Sequence, residues 1–116
     1  MVFTAATPVL AGMCEMPIWQ DEFAGTELDP TRWSHSEGDG CAQGICGWGN
    51  DEEQWYSSDN AFVKDGLLHI VAKQQRKGER AYTSAKITTE NHFAQRYGRF
   101  EASMRLPLGK GFWPSF

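Results

Sequence analysis

The sequence predicts an all-β protein. Two observations carry this: the helical period is absent almost everywhere, and short stretches of apolar–polar alternation recur between turn residues. A third supports it, since 12 Gly and 5 Pro in 116 residues break the chain often. A hydrophobic fraction of 41% suffices for a packed core. The net charge of −4 argues against a reader of nucleic-acid phosphates and against a polybasic membrane-surface segment. No apolar run approaches the ~18 residues that a membrane-spanning helix requires.

Taken in order, Val2–Leu10 is mildly apolar, but it lacks a basic start and is interrupted by Pro8. It makes a poor signal peptide, and residues 1–15 read as an N-terminal extension to a domain spanning 16–116. Ser34–Gly49 is glycine-rich and reads as a long loop. Ala61–Val63 and Leu67–Lys73 flank Lys64-Asp65-Gly66, a strong signal for two strands joined by a tight turn. Gln74–Arg80 is a polar turn containing Gly78. In Ser84–Thr89, Ala85, Ile87 and Thr89 alternate with Ser84, Lys86 and Thr88. Tyr97–Leu106 shows the clearest alternation: Phe100, Ala102, Met104 and Leu106 on one face, Arg99, Glu101, Ser103 and Arg105 on the other, as in a half-buried strand. After the turn Gly109-Lys110-Gly111, Phe112–Phe116 reads as the start of a further strand. Its aromatic residues would form an exposed edge without a pairing segment, so the chain is expected to be truncated there.

Cys41 and Cys46 flank a four-residue loop that contains Gly44. A disulfide can close this loop and would indicate an exported protein; two reduced thiols are the other reading. A zinc site is disfavoured, because Cys-x4-Cys with His35 nearby does not supply four well-spaced ligands. Cys14 is expected to be a free thiol.

The usual catalytic signatures are missing. There is no glycine-rich phosphate loop, no Gly-x-Ser-x-Gly and no His-Glu-x-x-His, and His35, His69 and His92 are scattered. The acidic clusters (Asp21-Glu22, Glu37 with Asp39, Asp51-Glu52-Glu53) read as solvated loops. Gly47-Trp48-Gly49-Asn50-Asp51-Glu52-Glu53-Gln54-Trp55-Tyr56 is different. It is dense in the flat rings and in the amide and carboxylate groups that hold sugars, although Trp48 and Trp55 could equally be core residues.

The order of several motifs carries a resemblance. Trp19-Gln20-Asp21-Glu22-Phe23, Leu28-Asp29, Trp33 and Gly47-Trp48-Gly49-Asn50 with Glu52, Gln54 and Tyr56 come first. Asn60, Val63–Leu68, Tyr82-Thr83-Ser84-Ala85-Lys86-Ile87, Tyr97-Gly98-Arg99-Phe100-Glu101-Ala102 and Leu106–Phe116 follow. Together they resemble glycoside hydrolase family 16, in particular bacterial laminarinases, the endo-acting β-1,3-glucanases. The resemblance implies a two-sheet antiparallel β-jelly-roll sandwich, of which only the N-terminal part is present, with β-glucan lying in a concave cleft. It implies a retaining mechanism in which one Glu attacks the anomeric carbon and a second acts as acid and base, about 5–5.5 Å apart. The motif that carries this pair, Glu-x-Asp-x-x-Glu or Glu-x-Asp-x-Glu, does not occur in the sequence. No residue is therefore assigned as catalytic, and Glu101 reads as a structural strand residue.

By the same resemblance Asn50, Arg99 and Trp113 are expected to bind substrate, with Glu52 a weaker candidate. Lys86 stands where many relatives carry Arg. Glu22 and the carbonyl of Gly66 match two ligands of a structural calcium ion. The expected protein is secreted or periplasmic and acts on a laminarin-like β-1,3-glucan. The expected partner is the missing C-terminal half of the domain or another copy of the chain. This chain alone is expected to be inactive. A non-catalytic β-glucan-binding protein is the alternative.

Overall fold

The computed structural model describes residues 16–116. The N-terminal extension 1–15 and Cys14 lie outside the described residues. Six short strands are present: β1 (Ser34–Ser36), β2 (Gln54–Tyr56), β3 (Ala61–Lys64), β4 (Leu67–Ile70), β5 (Tyr82–Ser84) and β6 (Lys86–Thr88). The helical content among the described residues is three 3₁₀ turns, at Cys41–Gln43, Cys46–Gly49 and Ser58–Asn60.

Strands β3 and β4 form the antiparallel hairpin that Lys64-Asp65-Gly66 predicts, with Lys64 opposite Leu67. Asp65 and Gly66 both have positive φ, 54° and 72°. That is the type I′ geometry whose twist suits a two-residue loop. The period of two holds along β3: Ala61 and Val63 are buried, while Phe62 and Lys64 are exposed.

The Ser84–Thr89 alternation falls mainly in β6, with Ser84 as the last residue of β5 and buried Ala85 between the two strands. Strand β5 pairs with β2 in parallel, Trp55 opposite Thr83. Strand β6 pairs with β1 antiparallel, His35 opposite Ile87. A bridge between Lys73 and Thr83 adds a third backbone segment beside β5. Three expectations need correction here. Ser34–Ser36 is a strand rather than loop, because β6 supplies its ladder partner. One of the three strand pairs is parallel. Tyr97–Leu106 and Phe112–Phe116 form no strand. Alternation says which face a residue would take, but a strand exists only through inter-strand hydrogen bonds. Among the described residues none pairs with 97–116. Its apolar side chains consequently stand in solvent: Tyr97 is 73% exposed, Leu108 96% and Trp113 76%.

The buried centre is small and unusually polar. Ala61, Val63 and Ala85 supply its apolar part, and Ser57, Asn60 and Thr83 lie beside them. The Asn60 side-chain amide donates to the Val71 carbonyl at 2.6 Å and to Thr83 Oγ1 at 3.1 Å. It ties the start of β3 to β5 and to the segment following β4. A separate aromatic cluster anchors the N-terminal motifs. Trp19 stacks on Phe93 at 5.6 Å and meets Trp33 edge-on at 5.2 Å. The Trp33 indole donates to Asp21 at 2.8 Å.

Candidate functional site

The sugar-like sequence 47–56 folds into a loop running onto β2. Its shape depends on residues that tolerate left-handed backbone. Gly40 (φ 83°) opens the 3₁₀ turn Cys41–Gln43, and Gly44 (φ 77°) closes it. The amides of Gln43 and Ile45 both donate to the Gly40 carbonyl, at 3.1 and 3.0 Å. Cys41 and Cys46 are joined by a disulfide across this loop, with Cα atoms 4.0 Å apart. Gly47, Trp48, Gly49 and Asp51 continue with φ between 51° and 75°. Left-handed backbone is uncommon for a tryptophan. Here it is held by the amides of Asn50 and Glu52, which both donate to the Gly47 carbonyl at 3.0 Å.

This path lays the Trp48 ring against Tyr56, centroids 5.5 Å apart and tilted by 50°. The Trp48 indole N–H donates to the Gly38 carbonyl at 3.2 Å. Glu52 is the polar centre of the cluster. Its Oε2 accepts from the Tyr56 hydroxyl at 2.5 Å and from the Gln54 amide at 2.7 Å. Its Oε1 lies 3.4 Å from the Asn50 side-chain amide. Burial first, and then the bond to Glu52, push the Tyr56 hydroxyl far above its ordinary value. Tyr56 therefore stays protonated as a donor. The Lys86 ammonium sits 4.9 Å from the centre of the Trp48 ring and 5.9 Å from that of Tyr56. A flat ring, an amide and a carboxylate are thus gathered within one surface patch. Such a set can take the apolar face and the hydroxyls of a pyranose. A cleft of about 620 Å³ is lined by Asp39, Cys41, Cys46, Trp55, Glu79 and Arg80.

Of the residues expected to bind substrate, Asn50 and Glu52 come together in this cluster. Arg99 and Trp113 do not join it. Both lie on the exposed 97–116 segment, where Arg99 pairs with Glu101 at 2.6 Å. Among the described residues no hydrogen bond, ion pair or ring contact links either to Asn50 or Glu52. Glu22 is exposed, and Gly66 is exposed in the β3–β4 turn. No group of three or more His, Cys, Asp or Glu side chains among the described residues could hold a metal ion. Glu22 and the Gly66 carbonyl are thus two oxygen donors without the four or more others that a calcium shell takes; by themselves they do not fit a calcium ion.

Sequence reasoning passed over Gln54, Tyr56 and Lys86 as site residues. For the first two a signal existed: Glu52, Gln54 and Tyr56 are spaced by two at the start of a strand and so share a face. For Lys86 the signal was its place where many relatives carry Arg, but its position over Trp48 depends on how the β5–β6 segment is placed.

No protein-family model matches the chain. It is 38% identical over 123 aligned residues to glucan endo-1,3-beta-glucosidase A1 of Niallia circulans, covering 97% of this chain and 18% of that protein. It is 40% identical to a beta-glucanase of Rhodothermus marinus, covering 84% of this chain and 34% of that protein. The catalytic domain of an endo-1,3-beta-glucanase (laminarinase) from Thermotoga petrophila superposes with a TM-score of 0.67 at 41% identity. That match covers 70% of this chain and 34% of the solved one. The chain therefore spans about a third or less of each of these relatives. Its strands are those of part of the laminarinase β-jelly-roll.

Proposed function

We propose, for a chain homologous to the laminarinase-type endo-1,3-β-glucanases, that it forms part of the glucan-binding cleft of a glycoside hydrolase of family 16. Its substrate class is a laminarin-like β-1,3-glucan. The observation that carries this reading is the cluster around Glu52, in which Asn50, Gln54 and Tyr56 converge beside the Trp48 ring. Arg99 and Trp113 extend the proposed cleft when the 97–116 segment is paired as a strand. The partner that pairs it is the remainder of a jelly-roll domain or another copy of the chain. The catalytic Glu pair is assigned outside these 116 residues, so the chain by itself should release no sugar. The calcium shell belongs with it, since Glu22 and Gly66 need oxygens from elsewhere. The Cys41–Cys46 bond fits an oxidising compartment, in keeping with a secreted or periplasmic protein. No helix of the described residues is long and apolar enough to cross a membrane.

Titration with laminarin oligosaccharides tests the site. Asn50→Ala, and Trp113→Ala in a protein whose 97–116 segment is paired, should each weaken binding about tenfold or more, which is about 1.4 kcal/mol. Unchanged affinity in both variants would remove these residues from the cleft. The second reading is a non-catalytic β-glucan-binding protein. It predicts the same binding losses, and it parts from the first on hydrolysis.

A further inference from the structure

We infer that Arg80 is a positioning residue for the proposed glucan site, locking the loop that carries Trp48 onto the segment that carries Glu52. The inference rests on the reading of that cluster as a glucan site. Arg80 lies far along the chain from both segments, at the end of the polar turn. Its own backbone is fixed there, because Arg80 and Lys77 exchange N–H to carbonyl bonds, each 3.1 Å. From this anchor the guanidinium spans two elements. Nε donates to Asp39 Oδ2 at 3.1 Å, and Nη1 donates to the Glu52 carbonyl at 3.1 Å.

Each contact fixes something the site uses. Asp39 is the first residue of the loop path. Its Oδ1 accepts from the Cys41 amide at 3.1 Å, and its carbonyl accepts from the Trp48 amide at 3.4 Å. Holding Asp39 therefore holds the Cys41 end of the disulfide-closed turn and the backbone of Trp48. The other contact grips the main chain of Glu52, whose carboxylate organises Asn50, Gln54 and Tyr56. Both charged side chains are largely covered, Arg80 24% exposed and Asp39 15%. A partly desolvated, charge-assisted bond is stronger than one in open water. The Cys41 amide first, and then Arg80, hold the Asp39 carboxyl below its ordinary value. The planar fork of an arginine can serve two acceptors at fixed angles, whereas a lysine offers a single point charge.

The experiment compares Arg80→Met and Arg80→Lys with the unaltered chain, reading laminarin affinity and amide hydrogen exchange. Arg80→Met should speed exchange across 39–50 about tenfold or more, leave the β3–β4 hairpin unchanged and weaken laminarin binding about tenfold. Arg80→Lys keeps a charge for Asp39 but not the second arm, so both effects should be intermediate. Exchange in 39–50 that matches the unaltered chain overturns the inference, even if binding falls, because Arg80 would then act by contact. Accelerated exchange throughout the hairpin also overturns it, as a global effect. If the unaltered chain binds no laminarin, the functional reading falls, and loosening confined to 39–50 supports only the lock.

Discussion

Replacing Gly40 with alanine should cost about 3 kcal/mol or more of stability and abolish glucan binding. The position is buried and left-handed, with φ 83°. A Cβ there would stand 2.4 Å from the Ile45 carbonyl oxygen, 3.0 Å from the Trp48 nitrogen and 3.1 Å from the Trp48 Cα. All three are backbone atoms, so no side chain can swing aside. Relief would require the turn to open, and the turn is what brings Trp48 to Tyr56. Gly49→Ala separates the two contributions. It has φ 75° with nothing within 4 Å of the added carbon. It should lose only the cost of the left-handed backbone, about 1–2 kcal/mol. Denaturant unfolding of the two variants measures the difference. Equal losses would mean that the close approach at Gly40 does not exist.

Asn60→Ala should destabilise by about 2–4 kcal/mol. The residue is 1% exposed and its amide supplies hydrogen bonds to the Val71 carbonyl and Thr83 Oγ1. Alanine removes both N–H donations and leaves the half-buried Val71 carbonyl and the buried Thr83 hydroxyl without them, where burial makes that omission expensive. Asn60→Asp tests the chemistry at constant shape. Its carboxylate would face the Val71 carbonyl, oxygen against oxygen, so folding would favour the protonated acid and raise its pKa. The sign follows: the penalty is full above the folded pKa and fades as pH falls towards the unfolded value. Asn60→Asp should therefore regain stability on acidification relative to Asn60→Ala. Parallel pH profiles for the two variants would contradict the account.

These positions show how legible the molecule was in its sequence. The β3–β4 hairpin could be read directly, because Asp65-Gly66 states its turn and Ala61 and Val63 state its buried face. Ser84–Thr89 was legible as extended chain, but not its division at Ala85 or the parallel pairing with β2. Strand direction is set by which segment arrives alongside, and alternation carries no record of that. Ser34-His35-Ser36 has no apolar pattern and becomes a strand only because β6 lies beside it. Tyr97–Leu106 shows the reverse, with a clear pattern and no ladder. For the proposed site, the sequence named Asn50 and Glu52, and the spacing of two placed Gln54 and Tyr56 on the same face as Glu52. Arg80 and Asp39 could not be read this way, since 41 residues separate them and nothing local marks either as the other's partner. The polar hub of Asn60 and Thr83 was hidden for the same reason.

The central claim is that this chain belongs to a β-1,3-glucan-cleaving site. Its most direct test is laminarin hydrolysis by the product of the complete gene, followed by NMR of the newly formed anomers. The account predicts release of β-1,3-linked oligosaccharides whose first-formed reducing ends keep the β configuration. Laminarin left intact by a folded, full-length product that still binds it would contradict the account and leave a glucan-binding protein in its place.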